Sequence, residues 1–193
     1  MTKAESKVID FIKKHILLFL LVAVTIIAIF LRVCGMDFQS DDFNSFLNSW
    51  WSIIKLNDFT GLATQVGNYN IPYQVIIYLM TLLPLNALYA YKIVSIIFDF
   101  VLAISTAMLV YSFAKNNRRL KAILTYSAVL LSATVIFNSS FWAQCDSIYT
   151  SFIILAILFL HKDKPFASFV FIDIAFAFKL QTVFIIPDLL YYW

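Results

Sequence analysis

A chain of 193 residues that is 62% hydrophobic and only 13% charged, with a net charge of +3, is too apolar for an ordinary soluble domain. Its basic residues stand in short clusters between apolar runs, which sets aside a nucleic-acid binder, and two cysteines, Cys34 and Cys145, exclude a disulfide framework. The apolar runs are continuous rather than alternating, which excludes a β-barrel and leaves an all-α polytopic membrane protein, read as one membrane domain over 1–193.

Residues 1–15 carry Lys3, Lys7, Lys13 and Lys14 ahead of the first apolar run. No small-x-small cleavage site follows, because Arg32 and Val33 stand where small residues are needed. Residues 16–33 therefore read as a retained first transmembrane helix. Residues 37–72, DFQSDDFNSFLNSWWSIIKLNDFTGLATQVGNYNIP, form the longest stretch that cannot sit in lipid, and hold four of the eleven acidic residues. Within it Phe43, Phe46, Leu47, Trp50, Trp51 and Ile54 recur along one face of a helix. Ser40 or Asp41 is its candidate N-cap, and the pattern predicts an amphipathic helix on the membrane surface with its tryptophans at headgroup depth. Gly67-Asn68-Tyr69-Asn70 reads as a turn.

Residues 71–83 are apolar but too short to span and lie between Pro72 and Pro84, as a juxtamembrane or re-entrant helix would. Spans are expected over 88–113, 120–137, 145–160 and 166–187. With 71–83 not crossing, the N-terminal lysines, the KNNRRLK loop (115–121) and Lys162 with Lys164 share one side, ten of the fourteen Lys and Arg. Basic residues accumulate on the cytoplasmic side. That puts the N-terminus inside, the 37–72 loop and the 138–146 turn outside, and predicts about five transmembrane helices plus the two short ones.

Several polar residues admit a structural and a chemical reading. Asp41 and Asp42 either cap a helix start or supply a general base beside a low-dielectric pocket. Asp146 begins a helix on the same side. Asp99 and Asp173 lie in mid-span, where a charge marks function or a buried partner. Lys92 and Lys179 either snorkel or offer a point charge to a lipid-linked phosphate, and Gln181 can donate to the same group. His15 and His161 have no spaced partners, so no metal site is expected. The absence of a phosphate-cradling glycine loop makes a soluble nucleotide sugar a poor donor.

SDDF (40–43), GNYNIPY (67–73), YKIVSIIFD (91–99), FWAQCDSIY (141–149) and FKLQ (178–181) followed by Pro187 occur in order over nearly the whole chain. With that set the sequence resembles the GT-C class of integral membrane glycosyltransferases, and is most similar to bacterial mannosyltransferase-like members. The resemblance implies a polyprenyl-phosphate sugar as donor, inversion at the anomeric carbon, and a catalytic carboxylate in the first outer loop. Asp42 falls on that position, with Asp41 the second candidate. Pro72 and Tyr73 match the start of a pocket-shaping helix, Asp146 a polar position at the outer face, and Asp99 joins this pocket and acceptor group. Lys179 and Gln181 match a polar pair assigned here to the donor phosphate. Two departures stand out. Ile71-Pro72 replaces a proline pair, and the chain has about half the length of such enzymes, as an N-terminal part that can be inactive alone. The alternative is a small substrate-binding or transport subunit without catalysis. No nucleic-acid partner is expected.

Overall fold

A computed structural model describes residues 3–187. Residues 1–2 and 188–193 lie outside them. All regular structure among the described residues is helical: α1 (Lys3–Val33), α2 (Asn48–Asn57), α3 (Ile71–Thr81), α4 (Ala87–Phe113), α5 (Arg118–Leu130), α6 (Ala133–Ile136), α7 (Asp146–His161) and α8 (Pro165–Phe178). Single π turns precede α2 (Phe43–Leu47) and follow α6 (Phe137–Phe141), and 3-10 turns follow α2 (Asp58–Leu62) and α8 (Leu180–Ile185).

Among the described residues two helical stretches, Lys14–Val33 of α1 and all of α4, are long and apolar enough to cross a membrane. A third arises if α5 and its continuation Ala133–Phe141 count as one span, although the two are bent by 50°. α7 and α8 are apolar but have only 16 and 14 residues, about 24 and 21 Å of helix against roughly 30 Å of hydrocarbon. The molecule thus has the character of a membrane protein with two or three candidate spans. Two expected spans are interrupted. The 120–137 segment bends at Leu131–Ser132, where Ser132 is extended (ψ 124°). The 166–187 segment ends its α-helix at Phe178, because Lys179 is extended (φ −150°, ψ 125°) and restarts the chain as a 3-10 turn.

The distribution of polarity is inverted relative to a water-soluble bundle. On α1, Val22, Ile26 and Phe30 face outward, while Val24, Ala28 and Arg32 repeat every four residues on the buried face. Val24 and Ala28 of α1 and Ala103 of α4 share one buried cluster with Tyr126 and Leu130 of α5. Polar side chains fill the interior instead. Fully buried Arg32 meets fully buried Asp99, Nε to Oδ2 at 2.9 Å. Asp99 also accepts from the hydroxyls of Ser139 and Ser147, each at 2.5 Å. Arg32 Nη1 donates to the carbonyls of Ala28 and Leu130. The second is the last carbonyl of α5 before the bend, so the guanidinium satisfies a group that the kink would otherwise strand in an apolar medium.

The outer-loop helix forms with the expected apolar face, but that face is not on a lipid surface. Phe43, Leu47, Trp50, Trp51 and Ile54 are buried with Tyr73, Ile77 and Tyr91 of α3 and α4 in the main core. The tryptophans are internal packing surfaces, because α3 and α4 offer them an apolar wall. Tyr91 donates to Leu47 O (3.0 Å), at the junction between the π turn and α2. Ser40 is the cap: its Oγ accepts from Phe43 N at 3.1 Å.

Candidate functional site

The start of the 37–72 loop is pinned by α4. Lys92 is buried rather than snorkelling, and its ammonium donates to Gly35 O (2.7 Å), Met36 O (3.0 Å) and Phe38 O (2.5 Å). A cation on the carbonyls after a helix end is favourable both as hydrogen-bond donor and against the helix dipole. Tyr89 Oη donates to Asp37 Oδ1 (2.6 Å). Gly35 lies so near the 137–141 turn that a Cβ there would stand 2.7 Å from the Phe141 ring. Asp41 and Asp42 therefore leave a fixed base, and both carboxylates are exposed.

Opposite them, the π turn Phe137–Phe141 and Ala143, in the left-handed region (φ 58°), fold the 138–146 segment into a tight reversal. Gln144 N donates back to Asn138 O at 2.8 Å. This reversal presents Gln144 and Asp146 toward the loop. Gln144 Nε2 donates to Asp42 Oδ2 (2.8 Å), and Gln144 Oε1 accepts from Tyr69 Oη (3.1 Å). Burial first, then the neighbouring Cys145, Asp146 and Asp42, holds the Tyr69 hydroxyl well above its ordinary pKa. It stays protonated and donates.

Tyr69 reaches this position over Trp50. Gly67 (φ 76°) makes that passage, since a Cβ would stand 2.3 Å from the indole. Below lie Tyr73, 4.8 Å from Tyr69 between ring centres, and Tyr91.

The break after α8 brings in the third element. Lys179 forms an ion pair with Asp146, whose other oxygen accepts from Asn138 Nδ2 at 3.0 Å. The Lys179 ammonium also sits 5.7 Å from the Tyr69 ring centre and 5.3 Å from that of Tyr149, within cation–π range. Asp42, Gln144, Tyr69, Lys179, Asp146 and Asn138 are thus one connected polar arc, drawn from residues 42 to 179. Asp146 does not serve as a side-chain cap for α7.

The arc opens into a groove of about 570 Å³. Asn68, Tyr69, Asn70, Lys179 and Gln181 supply polar atoms to its wall, and Leu180, Val183 and Phe184 an apolar side. Of the residues picked out by sequence, Asp42, Asp146, Lys179 and Gln181 meet at or around this groove. Among the described residues Asp41 has no hydrogen bond or ion pair to the arc, while Pro72 lines a neighbouring cavity of about 420 Å³ that shares Asn70. Tyr73 lies beneath the site, 2% exposed. Asp99, grouped with the pocket by sequence, is instead sealed in the scaffold by Arg32, Ser139 and Ser147. Asp173 is exposed on α8 and belongs to none of these groups. Gln144, Tyr69, Asn138 and Tyr149 were not singled out by sequence, although all four fall within or beside the GNYN and FWAQCDSIY stretches. Among the described residues no three His, Cys, Asp or Glu side chains come together as a metal site.

No known protein family, curated protein or solved structure matches the chain.

Proposed function

We propose that this chain is a membrane glycosyltransferase of the GT-C type, or the N-terminal part of one, that transfers a hexose from a polyprenyl-phosphate sugar to an acceptor at the outer face. The observation that carries the reading is the two-sided groove, with polar groups and one ammonium on one wall and exposed apolar side chains on the other. An amphiphile with a phosphate at the junction of its polar and apolar halves suits such a wall. Tyrosine faces with carboxylate and amide groups suit a sugar, which offers both C–H surfaces and hydroxyls.

In this reading Asp42 takes the proton of the acceptor hydroxyl. The acceptor oxygen then bonds to the anomeric carbon as the bond from that carbon to the phosphate oxygen breaks, and polyprenyl phosphate leaves with the electron pair. Gln144 orients Asp42 while Tyr69 orients Gln144. Lys179 has three donors. One is held by Asp146, and the others remain for the departing phosphate, where charge accumulates. Asp146 keeps the ammonium aimed, as a positioning residue.

Binding of a radiolabelled polyprenyl-phosphate hexose to the purified protein tests the groove assignment. Lys179→Met is expected to weaken it about tenfold or more, the scale of a charge-assisted hydrogen bond, Lys179→Arg to retain most of it, and free polyprenol to compete poorly. Unchanged binding by Lys179→Met, or equal competition by polyprenol, would remove the phosphate from this site. Saturable binding with no transfer under any acceptor would assign the chain to the substrate-capturing class.

A further inference from the structure

The opposite end of the molecule holds a second, larger concavity that plays no part in the proposed reaction. It lies between α1, α4 and α5 and encloses about 640 Å³. Leu21, Ile104, Ala107 and Met108 make an apolar floor, and Thr25 and Tyr126 close its deep end through a 3.0 Å hydrogen bond between their hydroxyls. From Ile104 to Ser112 the groove follows nine residues of α4, about 12 Å of rise. Arg118 and Lys162 stand at its outer rim.

Neither cation is consumed by the fold. Arg118 uses Nε on Ala114 O (2.6 Å) and lies over the Tyr111 ring at 5.8 Å. Among the described residues its two Nη groups have no acceptor. The Lys162 ammonium lies 6.0 Å from the Phe159 ring centre and has no acceptor among the described residues. A smaller groove of about 470 Å³ runs along the other side of the same seam, shares Tyr111, Ala122 and Ile123, and adds Lys14 and Arg119. Among the described residues no carboxylate lines either groove; Asp163, next to Lys162 in sequence, is exposed.

We infer that this seam is a binding site for an anionic phospholipid of the bilayer, with an acyl chain in the groove and the phosphate on Arg118 and Lys162. Apolar grooves along candidate spans are filled by lipid chains in any bilayer. The unpaired cations at one rim select among headgroups, as basic pockets between transmembrane helices do. The charge clustering is also that of a helix end facing an anionic leaflet. A free phosphate would need only the cations and would leave the apolar floor unused, so the bilayer lipid is the occupant that accounts for both halves of the site.

Native mass spectrometry of the intact protein incubated with phosphatidylglycerol or phosphatidylcholine of matched chains measures this directly. One phosphatidylglycerol per chain should be retained, with a preference of about thirtyfold for the two cations together. Arg118→Gln with Lys162→Gln should abolish the preference, whereas Lys115→Gln with Lys121→Gln, which removes equal charge outside both grooves, should leave it. Met108→Trp, filling the groove from an exposed position, should lower retention of both lipids. Inorganic phosphate should not displace phosphatidylglycerol. Equal retention of the two lipids, an equal loss with the Lys115 and Lys121 pair, no effect of Met108→Trp, or displacement by phosphate would each overturn the assignment.

Discussion

Arg32 and Asp99 show how one buried pair organises a site it does not touch. Each is fully enclosed, and together they tie α1, the end of α5, the 137–141 turn and the first turn of α7 to α4. Removing one partner leaves an uncompensated charge in a medium that cannot solvate it. Arg32→Met should therefore destabilise the protein by about 3–5 kcal/mol, and the double variant Arg32→Met with Asp99→Leu should recover much of that loss. Thermal unfolding in detergent measures both. A single variant as stable as wild type would show that the pair is a bystander. From sequence, Asp99 was visible as an anomalous charge, but its partner was not. Arg32 sits at the end of its apolar run, where an arginine looks solvated, and only the return of α4 and α5 covers it. Lys92 was misread for the same reason. Gln144 gave no signal of its own, since a neutral amide at a helix start is commonplace until its two partners from 75 and 102 residues away are in place.

At the scale of elements, the periodicity of residues 43–54 foretold a helix and the side of it to be buried, but not what would bury it. A stripe of phenylalanine and tryptophan satisfies a headgroup layer and a protein core equally, and the choice depends on whether α3 and α4 lie within reach. They do, and the loop over that helix is correspondingly tight. Gly67→Ala places a methyl inside the Trp50 ring and a side chain in the left-handed region. It should cost about 1–3 kcal/mol and lift Tyr69 from Gln144, seen as lost activity with intact secondary structure by circular dichroism. An alanine variant with wild-type stability and activity would mean the loop takes another path. The breaks at 131–132 and 179 were hidden because no proline or glycine marks either one. Each is held by a side chain from elsewhere, Arg32 on Leu130 O and Asp146 on Lys179.

For the whole molecule, all-helical membrane character was legible from hydropathy alone, since continuous apolar runs leave few other folds. Span count was less so: among the described residues α1 and α4 alone reach full length as unbroken helices, and α7 and α8 are short. The basic clusters support the proposal that the polar arc and the basic seam lie on opposite faces of the membrane. In a Cys34→Ser background, with Cys145 buried, an impermeant maleimide should label Ser45→Cys and Asn116→Cys from opposite sides of sealed membranes. Asn116 is used rather than Asn117, whose φ of 51° suits asparagine better than cysteine. Labelling of both from one side would invert the arrangement of the site relative to its acceptor.

The central proposal is that Asp42, held by Gln144 and Tyr69, activates the acceptor for sugar transfer. Single-turnover transfer from a polyprenyl-phosphate hexose, compared among wild type, Asp42→Asn and Asp41→Asn, tests it most directly. Asp42→Asn should slow transfer by about 10²–10⁴, the usual contribution of a general base, with donor binding intact, while Asp41→Asn stays within a few-fold of wild type. Transfer at the wild-type rate by Asp42→Asn would contradict it.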